Sequence, residues 1–194
     1  HLEATSWEPE AFFPTLGTLR GSTIGIIGAG GIGRALIPML AALGARALAV
    51  TRSGRPVPGA VETYPVERID EIWHLADHFV VAAPSTTETE QLVGAPELAA
   101  MKPTAWVINV ARGRLIDTEA LVEALRQGTI AGVGLDVTDP EPLPDGHPLW
   151  SMPNAMITPH DSHPPAVRIP ASLEHVTENV TRFASGLDPV AVID

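Results

Sequence analysis

Between Asn109 and His160 the chain sets an arginine, a glutamate and a histidine in three short phrases. They are Asn109-Val110-Ala111-Arg112-Gly113, Leu135-Asp136-Val137-Thr138-Asp139-Pro140-Glu141-Pro142 and Thr158-Pro159-His160. A guanidinium grips a carboxylate through parallel hydrogen bonds and polarises a neighbouring carbonyl. An imidazole gives or takes a proton near neutral pH. A cation for a carboxylate, a proton carrier and an acid beside that carrier form the set that reduction of a 2-keto acid requires. Arg112 is the candidate cation, because it follows a predicted strand and α/β sheets bind ligands beyond the carboxyl ends of their strands. Arg114, two residues on, reads as an ordinary surface arginine.

Upstream lies a glycine loop, Gly28-Ala29-Gly30-Gly31-Ile32-Gly33. Gly28 permits a tight turn, Gly30 lets backbone approach a pyrophosphate, and Gly33 lets helix pack closely on strand, while the helix N-terminus attracts phosphate charge. The loop follows an apolar strand and opens a helix, the context in which this spacing signifies dinucleotide binding. At the end of the next strand an acid would pair with a ribose 2′-hydroxyl and repel a 2′-phosphate. The chain has Thr51-Arg52-Ser53-Gly54-Arg55 instead. Arg52, assisted by Ser53 and Arg55, suits a 2′-phosphate, which favours NADP(H) over NAD(H). The alternative is a solvated turn that happens to hold two arginines.

These residues need elements to position them, and the hydrophobic pattern supplies a series. Strands are predicted at Thr23–Thr51 in two pieces (Thr23 to Ile27 and Ala47 to Thr51), then at Phe79 to Ala83, Ala105 to Val110, Ile130 to Val137 and Ala155 to Thr158. Helices are predicted at Ile32 to Leu43, Val66 to Asp77, Glu97 to Met101, Asp117 to Gln127 and Ala166 to Ser185, with a short extended piece around Val61. The alternation predicts an α/β fold, a doubly wound parallel sheet of Rossmann type with helices on both faces. Asp139 to Pro153 holds five prolines and reads as an irregular excursion. Pro38 should kink or weaken its helix, a defect of about 3 kcal/mol if packing does not compensate.

A chain of 194 residues, 45% hydrophobic and 18% charged, has room for one domain with a sizeable core. A net charge of −11 with no basic block excludes nucleic acid and anionic membrane surfaces as partners. The absence of cysteine excludes a disulfide scaffold and fits a reducing, cytoplasmic setting. The most apolar stretch, Ala35 to Val50, is broken by Pro38, Gly44 and Arg46 and is too short of apolar residues to span a bilayer. His160, Asp161 and His163 lack a second ligand phrase, so no metal site is expected.

The four phrases, in this order, resemble the cofactor-binding half of the D-isomer-specific 2-hydroxyacid dehydrogenases, glyoxylate/hydroxypyruvate reductases among them, from about Leu19 to about Asp194. The resemblance implies catalytic roles for Arg112, Glu141 and His160, with His160 as the proton carrier and Glu141 as the acid that favours its charged form. It implies cofactor contacts from Ala83-Pro84 with Thr86, Thr87 and Thr89, and places Val110 and Asp136 where the nicotinamide carboxamide is oriented. Asp161 is a departure, since relatives carry an apolar residue there. The resemblance further implies a homodimer through this half, with Leu143, Leu149 and Trp150 of the proline-rich excursion as contact residues. It divides the chain into a lead-in segment (1–18, anchored by Trp7, Phe12 and Phe13), a cofactor domain (19–163) and a final helix (164–194) that crosses to a substrate domain. Only 27 residues precede Gly28, so the expectation is a truncated enzyme that binds cofactor but turns over poorly; a nucleotide-sensing module resembling the family's corepressors is the alternative.

Overall fold

The computed structural model describes residues 17–162 and 165–190; the lead-in anchors Trp7, Phe12 and Phe13, and His163, lie outside them. The chain separates into two compact units, His1–Pro159 and His160–Asp194. In the first, seven strands form one sheet: β1 (Thr23–Ile27), β2 (Arg46–Thr51), β3 (Glu62–Pro65), β4 (His78–Val81), β5 (Trp106–Asn109), β6 (Gly132–Leu135) and β7 (Ala155–Ile157). Every neighbouring pair is parallel, in the order β3-β2-β1-β4-β5-β6-β7. The connections run through helices α1 (Gly31–Ala42), α2 (Ile72–Leu75), α3 (Ala95–Ala100) and α4 (Thr118–Gln127). The second unit is built on α5 (Pro165–Ala184).

Period-two alternation in the strands sorts the core into two layers. Ile24 and Ile26 of β1 and Ala47 and Ala49 of β2 pack with Ile37 and Leu40 of α1. Ile27, Leu48 and Val50 point the other way, into a larger cluster with Ile72, Trp73, Leu98, Leu121 and Leu125 from α2, α3 and α4. β1 and β2 are therefore buried on both faces, and their short apolar sequences reflect that. Helix α4 carries both of its sequence-encoded ends: the Asp117 carboxylate accepts the amides of Glu119 and Ala120 at 3.0 Å, and Gly128 closes it with φ 67.

Two local expectations are corrected, and a third position can be placed. Val66 to Asp77 is not one helix: a 3-10 stretch, Val66–Glu71, is interrupted at Arg68 (φ −111, ψ 17) before the single turn of α2. Asp77 lies beyond that turn because its amide donates to the Thr23 carbonyl and its carboxylate accepts the Thr23 amide, both at 2.7 Å. Pro38 lies within α1, which continues from Gly31 to Ala42, and sits on its exposed side. In the proline-rich excursion, Leu143 and Leu149 are buried within their own unit, and only Trp150 remains exposed. A 3-10 turn, Pro148–Ser151, tucks Leu149 inward, while the Trp150 indole donates to the Pro144 carbonyl at 3.0 Å.

Candidate active site

The carboxyl ends of β1, β2, β4, β5 and β6 open on one edge of the sheet, and the order reverses between β1 and β4, where doubly wound sheets bind ligands. Gly28 ends β1 with φ 90, and a β-carbon on it would come within 2.4 Å of the Ala83 backbone. The residue thus both turns the chain and admits the loop after β4. A β-carbon on Gly33 would meet Ile26 at 2.9 Å, which keeps α1 close on β1. On Gly30 and Gly31 a β-carbon would touch nothing of the chain. The space above them is left open by the fold itself. The first turn of α1 has no side-chain cap and no acidic residue. Its backbone amides are left for an anion, so the cradle fits a pyrophosphate.

At the end of β2, the Thr51 hydroxyl accepts the Gly54 amide at 3.0 Å and the Ser53 hydroxyl accepts the Arg55 amide at 3.4 Å. Those two side chains shape the turn, and Arg52 is left exposed upon it. Across the end of β1, the Thr89 hydroxyl donates to the Pro84 carbonyl at 2.7 Å and accepts the Thr86 amide at 2.8 Å. Thr89 thus organises the loop rather than offering a free hydroxyl. Glu88, on the same loop, has its carboxyl held below the usual range by hydrogen bonds from Thr86 and its own backbone and then from Thr87, with the charge of Arg52 contributing.

The end of β5 is built by a residue that the sequence reading passed over. Asn109 is fully buried; its carboxamide accepts the Ala111 amide at 3.0 Å and donates to the Arg112 carbonyl at 2.9 Å. An asparagine immediately before the Val-Ala-Arg turn is the signal that could have revealed it, since such side chains mimic a turn of backbone. Arg112 is exposed beyond that turn, one guanidinium nitrogen donating to the Ala111 carbonyl at 2.6 Å. Val110 donates its amide to the Val81 carbonyl at 3.2 Å. At the end of β6 the Asp136 carboxylate accepts the Thr158 hydroxyl at 2.6 Å.

A β-carbon on Gly113 would come within 2.0 Å of the Thr138 carbonyl group and 2.5 Å of the Asp139 nitrogen. The Arg112 turn therefore lies directly on the segment leading to Glu141. Between them opens a cleft of about 380 Å³ lined by Ser85, Arg112, Gly113, Arg114, Thr138, Asp139 and Glu141. Ser85 and Arg114 were not singled out from sequence; Arg114, read as a bystander, lines the same cleft as Arg112. His160 opens the second unit, exposed and with φ 54, a backbone region uncommon for residues other than glycine.

The sequence profile of the D-isomer specific 2-hydroxyacid dehydrogenase NAD binding domain matches residues 1–162. The chain belongs to that family. A glyoxylate reductase from Thermococcus gammatolerans is 36% identical over 189 residues, covering 97% of this chain and 56% of the relative. The NADPH-dependent glyoxylate/hydroxypyruvate reductase of Sinorhizobium meliloti, solved with NADP and sulfate, superposes with a TM-score of 0.85 at 29% identity, covering 95% of this chain and 61% of that one. The D-isomer specific 2-hydroxyacid dehydrogenase of Lactobacillus delbrueckii ssp. bulgaricus, solved in its NAD complexed form, gives 0.82 at 29% identity, covering 98% and 60%. The chain thus spans little more than half the length of these dehydrogenases. Among the described residues, no helix of this dehydrogenase domain is long and apolar enough to cross a membrane.

Proposed function

We propose that the chain is the cofactor-binding part of an NADP(H)-using oxidoreductase that interconverts a D-2-hydroxy acid and a 2-keto acid. The observation that carries this reading is the seat of Gly113 on Thr138: it makes Arg112 and Glu141 walls of one cleft. That cleft opens on the same sheet edge as the glycine cradle. Gly28, Gly30, Gly31, Ile32 and Gly33 would hold the pyrophosphate, Arg52 the 2′-phosphate from a turn that Ser53 shapes, Pro84 and Thr89 the adjoining wall, and Val110 and Asp136 the carboxamide. When bound, the cofactor supplies or accepts a hydride. Arg112 holds the substrate carboxylate and polarises the adjacent carbonyl. His160 moves the proton at the substrate oxygen, and Glu141 is the acid assigned to that proton transfer. The Thr158 hydroxyl fixes Asp136 for its part. NAD(H) is the alternative cofactor.

A homodimer through this domain fits the apolar residues that α1 leaves exposed, Ile32 and Met39, together with Leu43 just beyond it and Trp150. A cytoplasmic setting fits the absence of cysteine. The test is NADPH oxidation with glyoxylate and hydroxypyruvate by a full-length form of the enzyme, compared across Arg112→Ala, Glu141→Gln and His160→Ala. Arg112→Ala should abolish keto-acid binding, and His160→Ala should remove turnover while leaving NADPH affinity within about twofold. Retained turnover in both variants would overturn the assignment.

A further inference from the structure

We propose, resting on the reading of the cleft as the 2-keto acid site, that Arg114 sets the substrate class: a 2-keto acid with a second anionic group. The α-carboxylate meets Arg112 and the distal anion meets Arg114. Both side chains line the same cleft of about 380 Å³. That volume falls in the range of small-ligand sites and exceeds what a two-carbon acid fills. A single guanidinium suffices for the carboxylate beside the carbonyl, so a second one in the same space asks for a second anion.

The backbone that carries Arg114 is held as firmly as that of Arg112. The Arg114 carbonyl accepts the Gln91 amide at 2.7 Å, and the next carbonyl, Leu115, accepts the Val93 amide at 3.0 Å. Gly113 and Leu115 are buried while Arg112 and Arg114 are exposed, so the 3-10 turn Gly113–Leu115 anchors through alternate residues and presents Arg114 between them and Arg112 at its start. Such a turn fixes the origin of both side chains before any ligand arrives.

The electrostatic setting points the same way. The chain has 12 lysines and arginines against 23 acids, whereas the cleft sets two guanidiniums against two carboxylates and so is neutral where the chain is acidic. Among the described residues the ion pairs are Arg68 with Glu71 and Lys102 with Asp77, and neither cleft arginine is in one. The Arg112 guanidinium makes, among the described residues, one hydrogen bond, to its neighbour's carbonyl, which leaves the rest of its fork for a ligand. Asp139 and Glu141 line the cleft too, from the segment seated on Gly113. They repel a carboxylate that is not seated on a guanidinium, so the second carboxylate of a dianion is accepted only where Arg114 neutralises it.

The matched probes are 2-oxoglutarate and 2-oxopentanoate, five-carbon 2-oxo acids that differ in the terminal carboxylate. Each is titrated by NMR into the chain saturated with NADP+, at low salt. The dianion should bind about tenfold tighter. Arg114→Ala should bring the two within about twofold by weakening the dianion alone, and Arg114→Lys should restore part of the difference. Because Arg114 is exposed, an unchanged melting temperature will show that the variants fold. Equal affinities in the unaltered chain, or equal weakening of both acids by Arg114→Ala, would overturn the assignment of Arg114 while leaving the keto-acid cleft standing. Failure of both acids to bind a chain that does bind NADP+ would remove the cleft reading, and this proposal with it.

Discussion

Gly113 is pressed onto Thr138 so closely that a β-carbon on the glycine would lie 2.0 Å from both the carbon and the oxygen of the Thr138 carbonyl. The neighbour is backbone, so it cannot swing aside as a side-chain tip would. This contact makes one site of two phrases that the sequence holds more than twenty residues apart.

Gly113→Ala should therefore push the Thr138–Glu141 segment away from Arg112. The strain of inserting a methyl group at such a contact costs about 1–3 kcal/mol, with the upper end expected here because both partners are backbone. Urea denaturation measures the loss of stability, and keto-acid titration measures the loss of the cleft. A variant as stable as the parent with intact binding would show that the segment yields freely.

Asn109→Ala removes both bonds that shape the Arg112 turn and strands the buried Ala111 amide, while the Arg112 carbonyl keeps the Leu115 amide at 3.2 Å. A group stranded in this way costs about 1–3 kcal/mol. The arginine itself remains, so keto-acid binding should fall toward the level of Arg112→Ala, and the double variant should be little worse than either single one. Additive losses in that cycle would separate the two residues.

The order of elements was legible because each strand is a short apolar run bounded by glycine, proline or a cap, and the glycine loop fixes where the sheet edge lies. Arg112, Glu141 and the loop residues could be located from their phrases. The collapse of Val66–Asp77 into 3-10 turn and short helix could not, because it depends on Asp77 being drawn to Thr23, a partner 54 residues away. Arg114 was passed over for a similar reason: whether an arginine beside a glycine faces solvent or a cleft is decided by what packs on the glycine. Leu143 and Leu149 looked like partner contacts since proline-rich segments carry no period from which an inward face can be read.

Tyr64 is the chain's single tyrosine, so its ionisation can be followed directly by absorbance. Burial, the hydrogen bond its hydroxyl donates to Glu62 at 2.8 Å and the charge of Glu62 push its pKa up to about 12 from 10.0. The native state then holds this proton more tightly than the unfolded chain. Its contribution to stability, about 3 kcal/mol at most, is fully present below pH 10 and is lost as pH rises from 10 towards 12. Spectrophotometric titration should show a midpoint well above 10 in the folded chain and near 10 in urea, and Tyr64→Phe should flatten that part of the stability profile. Coincident midpoints would mean that the Glu62 bond is not kept in solution.

Arg52 decides the cofactor in the proposed reading, and its surroundings make the outcome measurable. Thr51 and Ser53 spend their hydroxyls on the turn, so a 2′-phosphate has the Arg52 guanidinium as its main partner there. Across the end of β1, Glu88 feels the charge of Arg52, which places a carboxylate within electrostatic reach of the same phosphate. The arginine attracts the 2′-phosphate and the glutamate opposes it. Arg52→Ala should weaken NADPH about tenfold while changing NADH less than about twofold, and Glu88→Gln should strengthen NADPH modestly without affecting NADH. Both effects should shrink as salt is raised, because the two side chains are exposed. Fluorescence titration of the four pairings of variant and cofactor measures this directly. A preference for NADH in the unaltered chain, or NADPH affinity indifferent to Arg52→Ala, would assign the turn to solvent and leave cofactor choice to residues elsewhere on the sheet edge.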